Sequence, residues 1–335
     1  MKNCFGTAKR FSLFLVYSYV ALLLMIPVCF AAEGIIIGHS CTRLSRIPNQ
    51  WIDRAKADLH VAYQHTSHGS QIITGMNAHR SFPDFENRYD WDDAGARPGA
   101  LDLDDYGIPG CADLSQGDWI DENDVTPWVT ATRNLLNNPT NNHINVVVWS
   151  WCSINNHNIE RYLENMEILI AEYSAGGSNP RSAAYPVRFV FMTGHAEGQG
   201  EGGFIHLANA LIREHCRLNN RILFDFADIE NYDPAGNYFY DRPMWDDLDY
   251  SNVAYRDSNW AEEWIAANTG AELEQLTTGN GVPGYGGCSG CAHSDSPLEA
   301  NLNCVLKARA FWWMMARLAG WNGKHPPLPY SLLLE

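Results

Sequence analysis

The segment HVAYQHTSHGS, residues 60 to 70, changes character at its midpoint. A short apolar run gives way to imidazoles, hydroxyls and a glycine, which is how a buried strand delivers reactive side chains to the edge of a sheet. The preceding segment, Pro48 to Leu59, has apolar residues at helical spacing, and the run from Gln71 to Met76 is predicted to begin another helix. We therefore predict a helix, a central strand and an active-site turn in direct succession.

Four further apolar runs predict strands on either side of this segment. None alternates apolar and polar residues, which is typical of strands that are covered on both faces in a parallel sheet. Helical patterns separate them, at Ile159 to Ile170 and Phe204 to Ile212. We predict an α/β fold with three α/β/α layers and a mainly parallel sheet of about five strands. The four runs lie within residues 34–41, Ile144 to Trp149, Val187 to Thr193 and Arg221 to Ala227.

The ends of the chain predict its processing and extent. Three basic residues precede the uncharged run Phe11 to Phe30, which small residues close, so residues 1–32 are predicted to be a secretory signal peptide. An uncleaved N-terminal membrane anchor is the alternative, and either places the protein outside the cytoplasm, as secreted or periplasmic. One domain is predicted over residues 33–325, followed by a tail at 326–335.

Two loop-rich regions and a final helix complete the predicted domain. Residues 81–110 are dominated by Asp, Gly, Pro and aromatics and predict a long surface excursion, and residues 228–287 predict an insertion that roofs the site. A capping pattern of Ser296, Pro297 and Glu299 predicts the start of the last helix.

The charge and the aromatic content of the chain indicate which ligands it is suited to bind. The formal net charge of −16 argues against nucleic acid as a ligand. Twelve Trp and fifteen Tyr suit the binding of sugar rings, and they equally suit a core and its rim. Seven cysteines follow the predicted signal peptide, and Cys288 and Cys291 form the motif CSGC. Because no second CxxC follows, a local disulfide between these two is favoured over half a zinc site.

Polar residues follow the predicted strands at the edge where ligands bind in open α/β sheets. His293 comes shortly before the last helix. We expect these side chains to converge. They include His65, Ser67 and His68 after the first long strand, Cys152 and Asn155 after the second, His195 and Glu197 after the third, and Asp228 after the fourth.

In order and spacing, most of Leu59 to Trp321 resembles the SGNH or GDSL-like hydrolases, which are secreted or periplasmic esterases and carbohydrate deacetylases. The resemblance implies that the block HTSHG supplies Ser67 as nucleophile and that AHSDSP supplies His293 as base. It also implies that YGIPGCADLS supplies Gly110, whose backbone N–H helps to form the oxyanion hole. The implied reaction is acyl transfer without a cofactor, and the implied substrate is a small-molecule or polysaccharide ester.

Two blocks depart from the family pattern. The family's Gly-x-Asn-Asp appears here as SWCSINN, which leaves Asn155 as a displaced oxyanion donor. The Asp that usually stands three residues before the catalytic His is Gly290, so Asp295 or Asp228 is the candidate for the orienting acid. In a second register Ser40 is the nucleophile, but that register requires an unusually long separation between blocks.

A metal centre is the competing hypothesis. Several histidines from separate loops are expected at one edge of the sheet, and imidazole is the commonest nitrogen ligand for zinc and other transition metals. Glu197 or Cys152 would be able to join them as further ligands. A non-catalytic glycan-binding protein on the same scaffold is a third hypothesis. The four candidate metal ligands are His65, His68, His195 and His293.

Overall fold

Seven parallel strands form a single sheet in the computed structural model, which describes residues 34–122, 124–251, 258–293 and 297–324. In chain order the strands are β1 (Ile35–Ile37), β2 (His60–Gln64), β3 (Trp91–Asp92), β4 (Leu101–Asp105), β5 (Val146–Trp149), β6 (Arg188–Met192) and β7 (Ile222–Phe224). Their order across the sheet is β1-β7-β6-β5-β2-β4-β3. The predicted parallel α/β fold is confirmed, with two more strands than expected.

Both extra strands lie in the region that was predicted to be a surface excursion, so that prediction is wrong for β3 and β4. In β4 the buried side chains of Leu101 and Leu103 alternate with partly exposed aspartates. This period-two pattern belongs to a half-covered strand and differs from the continuous apolar runs of the central strands. The two residues of β3 are too few for any periodicity.

Helices cover both faces of the sheet. The last helix packs against the first two and contacts β1 and β7, whereas the fourth and fifth pack together and against β6. Three helices were not predicted, at residues 127–136, 226–230 and 272–278. In chain order the helices are α1 (Asn49–Asp58), α2 (Ser70–Ser81), α3 (Pro127–Leu136), α4 (Ile159–Tyr173), α5 (Phe204–Leu218), α6 (Phe226–Glu230), α7 (Trp260–Ala267), α8 (Glu272–Thr278) and α9 (Pro297–Leu318).

Helices α2 and α9 approach each other closely at one glycine. A side chain at Gly75 of α2 would overlap the backbone carbonyl of Cys304 in α9. Only glycine allows two backbones to come this near, because it carries no Cβ atom. The helix that follows the turn at residues 65–70 is therefore packed directly on the backbone of α9.

A disulfide joins Cys291 to Cys304, with 6.1 Å between the two Cα atoms. The predicted local bond between Cys288 and Cys291 is wrong, because Cys288 is turned into the core and is a free, buried thiol. The partner of Cys291 lies on α9, which comes close only in the folded chain. A structural disulfide fits an oxidising compartment.

Several predictions fall on residues outside the described ranges. They are the signal peptide at 1–32, the helix cap at Ser296 and the tail at 326–335. Within the described part of the chain, no helix combines the length and the apolarity that a bilayer crossing requires.

Candidate active site

The turn at residues 65–70 lies at a topological switch point of the sheet, where the strands that follow β2 in the chain are added toward opposite edges. Strand β2 is flanked by β4 on one side and by β5 on the other, and the chain continues from β5 to β6, away from β4. Ligands of open α/β sheets bind beyond the carboxyl ends of the strands at such a switch point. Residues 65–70 follow β2 at this position.

Ser67 opens a short 3₁₀ turn that runs directly into α2. Its φ angle is 41°, a value that residues other than glycine rarely adopt, and its side chain is partly exposed. A side chain at Gly69 would overlap Ser150 and His65, so the turn is held against the end of β5 by close contact. Strain of this kind at a single exposed hydroxyl is characteristic of functional sites.

The hydroxyl of Ser67 contacts Nε2 of His293. The two residues are 226 positions apart in the chain, and both are candidate site residues from the sequence. Since a neutral imidazole carries one proton, a ring that accepts from Ser67 through Nε2 carries its proton on Nδ1. This is the tautomer that a general base requires.

The carboxylate that faces His293 belongs to Asp246. Its Oδ2 atom lies 3.9 Å from Nδ1 of His293 and accepts a hydrogen bond of 2.8 Å from Nε2 of His68. Burial by itself raises the pKa of a carboxyl group, but the hydrogen bond from His68 and the neighbouring imidazoles hold the pKa of Asp246 below its ordinary value. Asp246 is therefore an ionised acceptor at neutral pH.

Neither carboxylate that the sequence suggested is seen beside His293. Asp228 bonds to Nδ1 of His39 at 2.7 Å, and Asp295 lies outside the described residues. Gly290, at the position of the family's aspartate, has a φ of 76°, which disfavours a side chain. Asp246 was missed because it lies in the predicted insertion at no characteristic spacing from His293. The only available signal was that this acidic insertion was expected to roof the site.

Three imidazole rings form a parallel stack in the site. The ring of His68 lies between those of His195 and His293, at centroid distances of 3.4 and 3.7 Å and with planes within 11° of parallel. Burial lowers the pKa of His68 to about 3 and also lowers the pKa of His293. Both rings are therefore uncharged at neutral pH, which leaves His293 in its basic form.

A second polar group adjoins the stack at Glu197. Nε2 of His195 lies 3.4 Å from Oε1 of Glu197, and the same carboxylate accepts from the hydroxyl of Ser153 and, at 3.0 Å, from the side-chain amide of Asn155. Asn155 thus directs one of its N–H groups to Glu197. Cys152 is half-buried, and its backbone N–H donates to the hydroxyl of Ser115 at 3.1 Å.

The loop that carries Gly110 lies beside the turn at residues 65–70. Thr66 donates to Asp113, and the side-chain amide of Gln64 donates to the carbonyl of Ala112 at 3.1 Å. Gly110 itself is exposed and has a φ of 107°. Its role as an oxyanion donor stays a prediction.

Two other predicted site residues make different contacts. His65 turns toward β4, where Nε2 lies 2.7 Å from Asp105 and the ring packs beside Tyr63 and Tyr106. It lies outside the imidazole stack, so the predicted four-histidine metal set is not assembled as proposed. It is Ser67, and not the exposed Ser40, that contacts His293. Among the described residues, a group of three possible metal ligands with all ligand atoms within 4.8 Å of one another is formed by His68, Asp246 and His293.

The disulfide ends two residues before His293, so its removal has a testable consequence. We expect the double variant Cys291→Ala with Cys304→Ala to lose about 2–4 kcal/mol of unfolding free energy, because the cross-link restricts the unfolded chain. Urea denaturation measures this loss. Cys216→Ala, which removes a buried free thiol on α5, is the matched control and should lose clearly less. Equal losses would contradict a stabilising role for the cross-link.

In comparisons with known proteins, no family model, no curated protein and no solved structure matches this chain. The geometry of the site aligns a hydroxyl, an imidazole and a carboxylate in the order Ser67, His293 and Asp246.

Proposed function

We propose that this chain is a secreted serine hydrolase of the SGNH type that cleaves carboxylic esters. The observation that carries the proposal is the contact between the hydroxyl of Ser67 and Nε2 of His293. A serine hydroxyl is a poor nucleophile at neutral pH unless an adjacent base removes its proton, and His293 is held in the form that does so. The disulfide on α9 supports secretion.

The reaction follows from these positions in two steps. Ser67 Oγ attacks the acyl carbonyl while His293 Nε2 takes the hydroxyl proton, and that proton passes to the leaving alkoxide when the ester bond breaks. Water then attacks the acyl-serine and gives a proton to His293, which returns it to Ser67 as the acid departs. Asp246 stabilises the imidazolium formed in each step.

The negative oxygen of the tetrahedral intermediate needs N–H donors placed beside Ser67. The turn at residues 67–69 leads into α2, and the first amides of a helical segment have no intrahelical acceptor. The backbone amides at this turn supply two candidate donors, from Ser67 and His68. Gly110 and Asn155 are the further donors that the family resemblance implies.

A polysaccharide ester is the proposed substrate class. Tyr106 is 56% exposed, and its ring lies 4.4 Å from that of His65, two residues before the nucleophile. An exposed aromatic face beside the site is suited to a sugar ring. An acetyl group on a glycan is small enough to reach the partly exposed hydroxyl of Ser67.

A fluorophosphonate probe tests the nucleophile directly, because it reacts covalently with an activated serine. We expect one probe per chain, located on Ser67 by peptide mass spectrometry, with hydrolysis of p-nitrophenyl acetate lost in parallel. Ser67→Ala should abolish labelling and Ser40→Ala should leave it unchanged. Labelling of Ser40, or none in the wild-type chain, would refute the proposal.

A metal-dependent function is the second candidate, and one observation favours it. One ligand atom from each of His68, His293 and Asp246 lies within 4.8 Å of the other two, so the three residues are near enough to share an ion. Two imidazoles and a carboxylate suit zinc. Elemental analysis of protein purified without chelators tests it. Near-stoichiometric zinc that is lost in His68→Ala supports this candidate, whereas metal-free protein that is labelled at Ser67 excludes it.

A further inference from the structure

A buried ion pair lies inside the protein on the α9 side of the sheet. Nζ of Lys307 in α9 is 2.7 Å from Oε2 of Glu230, and both side chains are 0% exposed. Removing two charges from water costs several kcal/mol per ion, and an apolar pair of similar volume would often be more stable. Stability alone is therefore a weak reason for this pair, so its other contacts are informative.

One branch of the network reaches the loop of His195. The second carboxylate oxygen of Glu230 accepts a hydrogen bond of 2.5 Å from the backbone N–H of Ala196, the residue after His195. Ala196 and His195 are both buried. Glu230 therefore links the backbone N–H of Ala196, next to one of the stacked histidines, to the ammonium of Lys307.

The other branch reaches the loop of His293. Lys307 donates to the side-chain oxygen of Gln71 in α2, and the side-chain amide of Gln71 donates to the carbonyl of Ala292 at 2.9 Å. Ala292 immediately precedes His293. The ammonium of Lys307 thus links the loops of the two outer histidines of the stack. Glu230 makes the connection on one branch, and Gln71 makes it on the other.

The same face of α9 also contacts the loop that carries Asp246. Asn303 precedes Lys307 by four residues, so the two side chains lie one turn apart on one face of the helix. The fully buried side-chain amide of Asn303 donates to the backbone carbonyl of Asp246 at 3.3 Å. Cys304 beside it is bonded to Cys291, near His293.

We propose that Lys307, with Glu230 and Gln71, is a positioning residue that sets the placement of His293 against Ser67. The inference rests on the proposed function, since it assigns a role in the reaction of that site. None of the three residues touches the reacting atoms. Their effect is transmitted by the backbone hydrogen bonds at Ala292 and Ala196, and a base that is misplaced by about 1 Å can lose about 100-fold in rate.

Gln71→Met is the first test, because it removes the donor to Ala292 while keeping an unbranched side chain of similar size. We expect kcat/KM for p-nitrophenyl acetate to fall by about 10- to 100-fold, through kcat and with KM within twofold. Ile72→Val is the matched control on the same helix, since it alters a fully buried neighbour outside the network. It should keep the wild-type rate within twofold.

A second variant separates the charge from the packing. Lys307→Met combined with Glu230→Gln removes both charges and keeps an acceptor for the N–H of Ala196. Burial lowers the pKa of Lys307 to about 8, against the opposing effects of Glu230 and Asp246. Loss of the ammonium above about pH 8 should weaken the contacts of Lys307 with Glu230 and Gln71, which place the two loops, so the wild-type pH profile of kcat/KM should decline there. The double variant has no ammonium to lose and should lack this decline.

The outcomes distinguish the two proposals. If the proposed function is wrong, the wild-type chain itself will show neither ester hydrolysis nor labelling at Ser67, and the positioning role falls with it. If only the positioning role is wrong, the wild type will be active and labelled, and Gln71→Met will match Ile72→Val in rate. A double variant that keeps the alkaline decline would also overturn the role of Lys307.

Discussion

His293→Gln is expected to reduce kcat/KM for p-nitrophenyl acetate by about 10⁴-fold or more. Glutamine has a polar side chain that hydrogen-bonds to Ser67 but cannot take its proton, so the serine stays un-ionised when it attacks. In the proposed reaction, the proton of Ser67 Oγ moves to His293 Nε2 through the contact between these two atoms. Initial rates and fluorophosphonate labelling rates should fall together, because both depend on the activated serine.

His39→Gln is the matched control for this substitution. His39 follows β1 at the same edge of the sheet and is also paired with a carboxylate, Asp228, at 2.7 Å. Loss of this imidazole should change kcat/KM by less than about threefold, since it makes no contact that the proposed reaction needs. A His293→Gln protein that keeps more than a tenth of the wild-type rate would rule out His293 as the base.

Asp246→Asn is expected to lower kcat/KM by about 100-fold at its pH optimum. Asparagine keeps an acceptor for Nε2 of His68 but removes the negative charge that favours the imidazolium of His293. Loss of the orienting aspartate in a more tightly bonded triad costs about 10⁴-fold. The smaller figure reflects the 3.9 Å separation between Asp246 and Nδ1 of His293.

The same substitution is expected to shift the pH dependence of kcat/KM in a defined direction. Burial lowers the pKa of His293 below its ordinary value, and Asp246 opposes that effect. The acid limb of the wild-type kcat/KM profile should therefore lie below about pH 6.5. In Asp246→Asn the opposing charge is gone, so the limb should move to still lower pH while the plateau falls. Asp228→Asn, whose carboxylate pairs with His39, is the control. A limb that moves to higher pH would contradict an electrostatic role for Asp246.

The predictions that succeeded depended on signals local in the chain. Continuous apolar runs identified the central strands, and the change from apolar residues to hydroxyls and imidazoles after Gln64 identified the turn that carries Ser67. The position of His293 just before α9 was equally local. Because parallel strands place their carboxyl ends at one edge, the sheet order then brought these loops together.

Apart from the two strands β3 and β4, which were predicted to be a surface excursion, the predictions that failed concerned partners rather than elements. Cys291 was assigned to its near neighbour Cys288, whereas the folded chain brings it to Cys304. His65 was grouped with the other histidines of its edge, yet its ring is turned toward Asp105. A one-residue difference in a strand or turn reverses the direction of a side chain, and no count along the sequence resolves it.

The sequence by itself determined which segments form the central parallel sheet and which hydroxyl and imidazole stand at its edge, because strand burial and turn chemistry are properties of short segments. Only the tertiary structure decided that Asp246 is the carboxylate facing His293 and that Lys307 links the loops of the stacked histidines. These pairings join residues from separate layers of the fold. Their free energy depends on burial and on distances of a few ångströms, neither of which exists until the helices have packed.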